Sequence, residues 1–234
     1  MKIEFIPLSK EAELIIPCPK PAKSYIPDWY KDIPATKKTK FGPRGEMLND
    51  IGVIKRCMPF FDGLTNGYIQ ESWCDINVEK DSYGKLTYAY SLGPEIMKIR
   101  ESSSMEIPSK FYSSEFTWLL HWLPRLPKGW SALFTTPFNR LDLPFTNTTG
   151  VIDSDVFFHT NQFGGNYPFY IDKDFEGIIP AGTPMYQIIP FKREDWKSEQ
   201  VEFDYDESIR RMATIRKHFI NGYKKTFWQK KSYE

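Results

Sequence analysis

Cysteine and histidine are scarce in this chain, with three of each. Cys18, Cys57 and Cys74 form neither an even set nor a C-x-x-C pair, which argues against a disulfide framework and for a reducing compartment. His121, His159 and His218 are scattered as well, so a zinc site lacks ligands in any recognisable spacing. Long apolar runs are missing too. Leu14–Ile16 and Ile188–Phe191 are far too short to span a bilayer. The start MKIEFIPLSKEAE carries Glu4 and breaks at Pro7, unlike a signal peptide. These features predict a cytoplasmic protein with no membrane partner. An excess of one charge is absent: the net charge of +1 supplies no global field toward nucleic acid or an anionic membrane.

Several reactions lack their parts. There is no G-x-x-x-x-G-K-[ST] phosphate loop, no G-x-S-x-G elbow and no H-E-x-x-H helix. The His-x-Asp/Glu start of jelly-roll iron oxygenases is absent, because Trp-Leu follows His121 and Thr-Asn follows His159. No cofactor is expected on these grounds.

What is present is aromatic and proline-rich. Aromatics make up 16% of the 234 residues and there are 18 prolines, a composition that favours strands and irregular connections over helix bundles. The expected fold is mainly β in a single domain, 1–234. Residues 1–50, punctuated by Pro7, Pro17, Pro19, Pro21, Pro27 and Pro34, predict an extended, irregular arm. Its Ile15, Ile16, Tyr25, Ile26, Trp29 and Tyr30 would be costly to leave in water. The arm either wraps the body or reaches a neighbouring subunit.

Residues 51–194 read as the β body. Gly52–Lys55 leads to Cys57–Pro59 and a turn at Asp62–Gly63, all within a stretch expected to be strands. Tyr68–Val78 and Lys85–Ser91 read as a hairpin turning at Ser82–Gly84. Trp130–Thr136, Gly150–Asp153, Val156–Thr160, Phe169–Asp172 and Met185–Phe191 read as further strands. From Ser208 the pattern changes. Ile209, Met212, Ile215, Phe219, Tyr223 and Phe227 fall at helical spacing, predicting one amphipathic helix over 205–231. Asp206 or Ser208 can cap it. Its stripe is expected to bury Ile215 and Phe219 on the body. The other face carries Arg210, Arg211, Arg216, Lys217, Lys224, Lys225, Lys230 and Lys231. That face is either solvated or a contact for an acidic partner or nucleic acid.

Three segments between Pro127 and Glu194, LPKGWSALFTTPFNR, NTTGVIDSD and IPAGTPMYQIIPFKRE, together resemble the dUTPase and dCTP deaminase family. The resemblance covers about a third of the chain. It implies a β-clip, jelly-roll-like core and gives roles to a few positions. Asp153, in Gly150–Asp153, stands where that family orients its attacking water. Arg140 stands near its phosphate-binding motif, and Gln187 closes its Gly-x-x-x-x-Gln strand. Mg²⁺ would bridge phosphates. Asp153 also makes sense as the cap of its own turn. Departures from the family are specific: Phe138-Asn139-Arg140 replaces the Arg-Ser motif, Val156 the base-stacking tyrosine, and Phe158 a glycine.

Ile26–Lys31 (IPDWYK), Lys55–Tyr68 (KRCMPFFDGLTNGY) and Gly182–Glu194 (GTPMYQIIPFKRE) resemble an uncharacterised family of tailed phages and bacteria. That resemblance implies a source, with a host-cytoplasm or virion location, and no activity. Two functions follow. The first is a non-enzymatic β protein acting by assembly, a homo-oligomer and phage structural or accessory component, with a protein partner on the C-terminal helix. The alternative is a nucleotide or small-anion hydrolase or binder using Asp153, Arg140 and Gln187.

Overall fold

The structure is a computed structural model that describes residues 1–38, 50–91, 93–100, 106–156, 165–218 and 221–234. It is mainly β, and every strand pairing in it is antiparallel. A five-stranded sheet runs in the order Gly150–Ile152, Trp130–Thr135, Pro184–Lys192, Tyr68–Glu71, Lys20–Pro21. A four-stranded sheet runs Phe145–Asn147, Gly165–Ile171, Glu115–Leu120, Met97–Arg100. A three-stranded sheet joins Gly177–Ile179, Ile76–Lys80 and Leu86–Tyr90.

These sheets share one core, and aromatic rings join them. Trp118 stacks on Phe169 within the four-stranded sheet at 3.7 Å between centroids. Tyr167 of that sheet meets Phe134 and Tyr186 of the five-stranded sheet edge-on, at 5.7 and 5.4 Å. Tyr88 of the three-stranded sheet meets Phe116 at 6.4 Å. A buried amide closes the junction. Asn147 accepts from the Trp118 indole at 2.8 Å and donates to the Met185 carbonyl at 2.8 Å. Burial pushes the Tyr167 and Tyr186 phenols far above their ordinary value, so both stay neutral.

The hairpin at Ser82–Gly84 is present, but its first strand is shorter than expected. Tyr68–Glu71 belongs to the five-stranded sheet and Ile76–Lys80 to the three-stranded one. Between them the Ser72 hydroxyl donates to the Cys74 carbonyl, at 2.5 Å. One periodic stretch thus serves two sheets. Gly67 marks the entry: its φ is +70°, and a Cβ there would overlap the Ile188 carbonyl oxygen.

Met58–Thr65 is an α-helix, not a strand leading to a turn. Pro59 sits in its first turn, where the missing N–H has no partner to lose. Residues 1–38 are also more regular than the prolines suggest. Glu4–Pro7 pairs with Trp122–Arg125. Lys10–Ile15 is a helix capped by Ser9, and Lys20–Pro21 forms the edge of the five-stranded sheet. Proline is tolerated at such edges and at helix starts, as at Pro21 on the edge strand and Pro27 before the short helix Asp28–Asp32. Ile16 and Tyr30 are buried, while Ile15 and Trp29 stay exposed.

The C-terminal helix is not continuous. It runs Tyr205–Arg216, capped by Asp204, and a second short helix spans Gly222–Thr226. Asn221 takes a left-handed conformation (φ 63°), which asparagine tolerates. Gly222 then lies so close to the Ile215 carbonyl that a Cβ would overlap it, so the chain doubles back. Ile215 is 39% exposed, and neither helix buries a residue. The expected packing of the stripe is therefore corrected for Ile215. Phe219, Phe158, His159 and most of Val156–Thr160 lie outside the described residues.

Candidate functional site

The three candidate side chains sit in two places. On the strand Trp130–Thr135, Ser131 is level with Phe191 and Thr135 with Gln187. Asp153 is bound to the Ser131 end, Gln187 and Arg140 to the other. Four residues of strand separate the ends by roughly 13 Å.

Asp153 follows Gly150–Ile152 at the point where the chain turns. Its backbone carbonyl accepts from Val156 N at 3.1 Å, so the turn is closed locally. Its Oδ1 accepts from the Ser131 hydroxyl at 2.7 Å and from Arg193 at 3.0 Å. Arg193 also forks onto Asp155, at 3.0 and 2.5 Å. Asp155 accepts in addition from the Gly129 backbone N–H at 2.9 Å. The Arg193 guanidinium first, and that N–H second, hold the Asp155 carboxyl down at about 2. Two carboxylates therefore converge, and one arginine bridges them both, balancing one of their two charges. Among the described residues, no three His, Cys, Asp or Glu side chains gather to hold a metal ion.

Arg193 is also where a regular strand ends. Its backbone N–H donates to the Gly129 carbonyl at 2.8 Å, and its side chain reaches the Trp130 carbonyl at 3.2 Å. Beyond it every residue from 194 to 207 is exposed. The Asp153 cluster is therefore the root of a projecting tract. A carboxylate at a strand end was legible in the sequence as Asp153. Arg193 and Asp155 were not, because their partners lie about 40 residues away along the chain.

Gln187 is 1% exposed and fully engaged. Its carbonyl oxygen accepts from Phe138 N at 2.7 Å. Its amide donates to the Gly63 and Asn66 carbonyls at 3.2 and 2.5 Å. Those carbonyls close the C-terminal end of the helix Met58–Thr65, where backbone acceptors have no partner of their own. Gln187, the expected ligand-binding candidate, here ties down a helix end, a partner that only the unforeseen helix supplies. Arg140 forks onto Asp142 at 2.8 Å on each side and reaches the Tyr25 carbonyl at 3.3 Å. The guanidinium lowers the Asp142 carboxyl below its ordinary value. Arg140 and Gln187 do line one cavity, but its volume is about 10 Å³, room for a single water at most. Asp153 does not line it.

The far end of the projecting tract is fastened as well. Arg56 donates to the Asn221 side chain at 3.2 Å. Trp228 and Lys231 both reach the Asp62 carboxylate, at 3.0 and 2.7 Å. Tyr233 bonds Asn66, and the Tyr68 hydroxyl donates to the Glu234 carbonyl at 3.2 Å. Between these ties and Arg193 lies the exposed helix Tyr205–Arg216. No described helix is long and apolar enough to cross a membrane.

No family model matches the chain, and no significant match to it is found among the curated proteins.

Proposed function

We propose that this protein acts by assembly or partner binding rather than by catalysis, as a homo-oligomer whose working surface is the tract from 194 to 216. The finer fold reading belongs to the same proposal. A β-clip or jelly-roll-like core with a wrapped N-terminal arm is supported by the shared aromatic core of the sheets and by the burial of Ile16 and Tyr30. So does the source implied by the resemblance to a family of tailed phages and bacteria: a structural or accessory component, in the host cytoplasm or the virion.

One contrast carries the reading. Every side chain picked for chemistry is engaged inside the chain: Asp153 by Ser131 and Arg193, Arg140 by Asp142, Gln187 by backbone. Meanwhile Trp196, Val201, Phe203 and Tyr205 stand 68–85% exposed on one tract. Clustered exposed apolar side chains mark interaction surfaces more than isolated ones do. The phosphate-orienting and base-stacking groups of a nucleotide hydrolase are replaced by Phe138-Asn139-Arg140 and Val156.

The test is release of phosphate or pyrophosphate from each common nucleotide with Mg²⁺, wild type beside Asp153→Asn. The expected result is background turnover in both. Fast turnover in wild type that disappears in the variant overturns the proposal and establishes the hydrolase. General-base loss alone removes about 10²–10⁴-fold.

A further inference from the structure

Resting on the assembly reading, we infer that the occupant of the exposed helix Tyr205–Arg216 is the same helix of a second copy, running antiparallel about a two-fold axis between Ile209 and Met212. The first observation is a groove. Val201 and Phe203 of the extended tract form one wall, Met212 and Ile215 of the helix the other, around about 480 Å³. Ile209, Met212 and Ile215 are 39–48% exposed, so among the described residues the stripe is only partly covered. Both ends of the tract are fastened to the body, by Arg193 at one and by the Asn221–Glu234 tail at the other, while the stripe between them stays exposed.

The second observation is charge order, which selects the occupant. Glu202, Asp204, Asp206 and Glu207 all precede Ser208, whereas Arg210, Arg211, Arg216 and Lys217 all follow it. Glu207 and Arg211 pair within the helix, leaving the outer charges to a neighbour. A parallel copy would set acid against acid and base against base. An antiparallel copy about the stated axis sets Asp204 level with Lys217 at both ends at once; Arg210 and Arg211 meet at its centre, but on the side of the helix away from the stripe. Helix dipoles add in the same sense. The contact is self-complementary and closes as a dimer rather than growing into a fibre. A 12-residue helix is only about 18 Å long. A stable interface needs about 1,200 Å² or more, so Val201 and Phe203 must take part beside the helix.

The experiment is sedimentation velocity of the full chain over a concentration series, with two charge-reversed variants. One carries Glu202→Lys and Asp206→Lys, the other Arg216→Glu and Lys217→Glu. Neither touches the Asp204 cap. Circular dichroism and a denaturant midpoint unchanged from wild type show that each variant is folded. Wild type is expected to form dimers. Each variant alone should associate at least about tenfold more weakly, and their equimolar mixture should return to the wild-type level. Three results overturn the inference: a wild type monomeric at every concentration, dimers indifferent to both reversals, or a mixture far tighter than wild type, which indicates parallel helices. A monomeric wild type also removes the homo-oligomer from the assembly reading, dimers indifferent to the reversals leave that reading standing, and nucleotide turnover alone replaces it with the hydrolase. A monomeric wild type that binds a polyanion would give the stripe another partner.

Discussion

The strand Pro184–Lys192 is almost wholly apolar and the tract that follows it is rich in charge, yet both carry large apolar side chains, and these meet very different environments. Met185, Tyr186, Ile188 and Ile189 are buried, and five residues past Phe191 the side chain of Trp196 is 85% exposed. What separates them is the availability of partners. The strand has Trp130–Thr135 on one side and Tyr68–Glu71 on the other, so its backbone and both faces are satisfied. The helix Tyr205–Arg216 satisfies its own backbone and needs a partner only for its stripe. A helix can therefore keep an apolar stripe partly in water, its backbone already paired, where an isolated strand cannot. Arg193 stands at the boundary, tying the last strand residue to Asp153 and Asp155.

The contrast can be broken at four points. The largest expected effect is in the core: Trp118→Ala, which empties the stack on Phe169, should cost about 3–5 kcal/mol by denaturant titration. Asn147→Ala should cost about 1–3 kcal/mol, because the Trp118 indole and the Met185 carbonyl are left buried without a partner. A loss near zero would mean that water or a shifted side chain replaces the amide.

Asp155→Asn probes the root of the tract. The folded carboxyl titrates at about 2, below its ordinary 3.8. Its stabilising contribution is thus full above 3.8 and is lost as pH falls toward 2. Wild type should be the more stable at neutral pH, with the difference shrinking across that acid window. A constant difference across it would detach Asp155 from Arg193. The smallest effect is expected in the exposed helix Tyr205–Arg216. In dilute, monomeric solution Met212→Ala should change stability by less than about 0.5 kcal/mol. A core-sized loss there would show that the stripe is covered within the chain.

Much of the body was legible because alternation and turn residues are local signals. Trp130–Thr135, the Ser82–Gly84 turn and the start of the C-terminal helix follow from neighbours within a few positions. The helix Met58–Thr65 was hidden by Pro59, which reads as a breaker unless it falls in a first turn. The site was legible only in part. Asp153 stands at a strand end as its Gly-x-Ile-Asp setting suggests. That its charge is taken by Arg193, and that Gln187 holds a helix end, depend on residues 40 and more than 120 positions away.

By itself, then, the sequence determined the β character, the turns and the helical stripe at the C-terminus, all written in spacings of two to four residues. Tertiary structure alone decided which strands became neighbours and which carboxylate met which arginine. It also left the stripe in water. Those outcomes depend on where distant segments meet, and periodicity carries no information about the partner, only about the face that needs one.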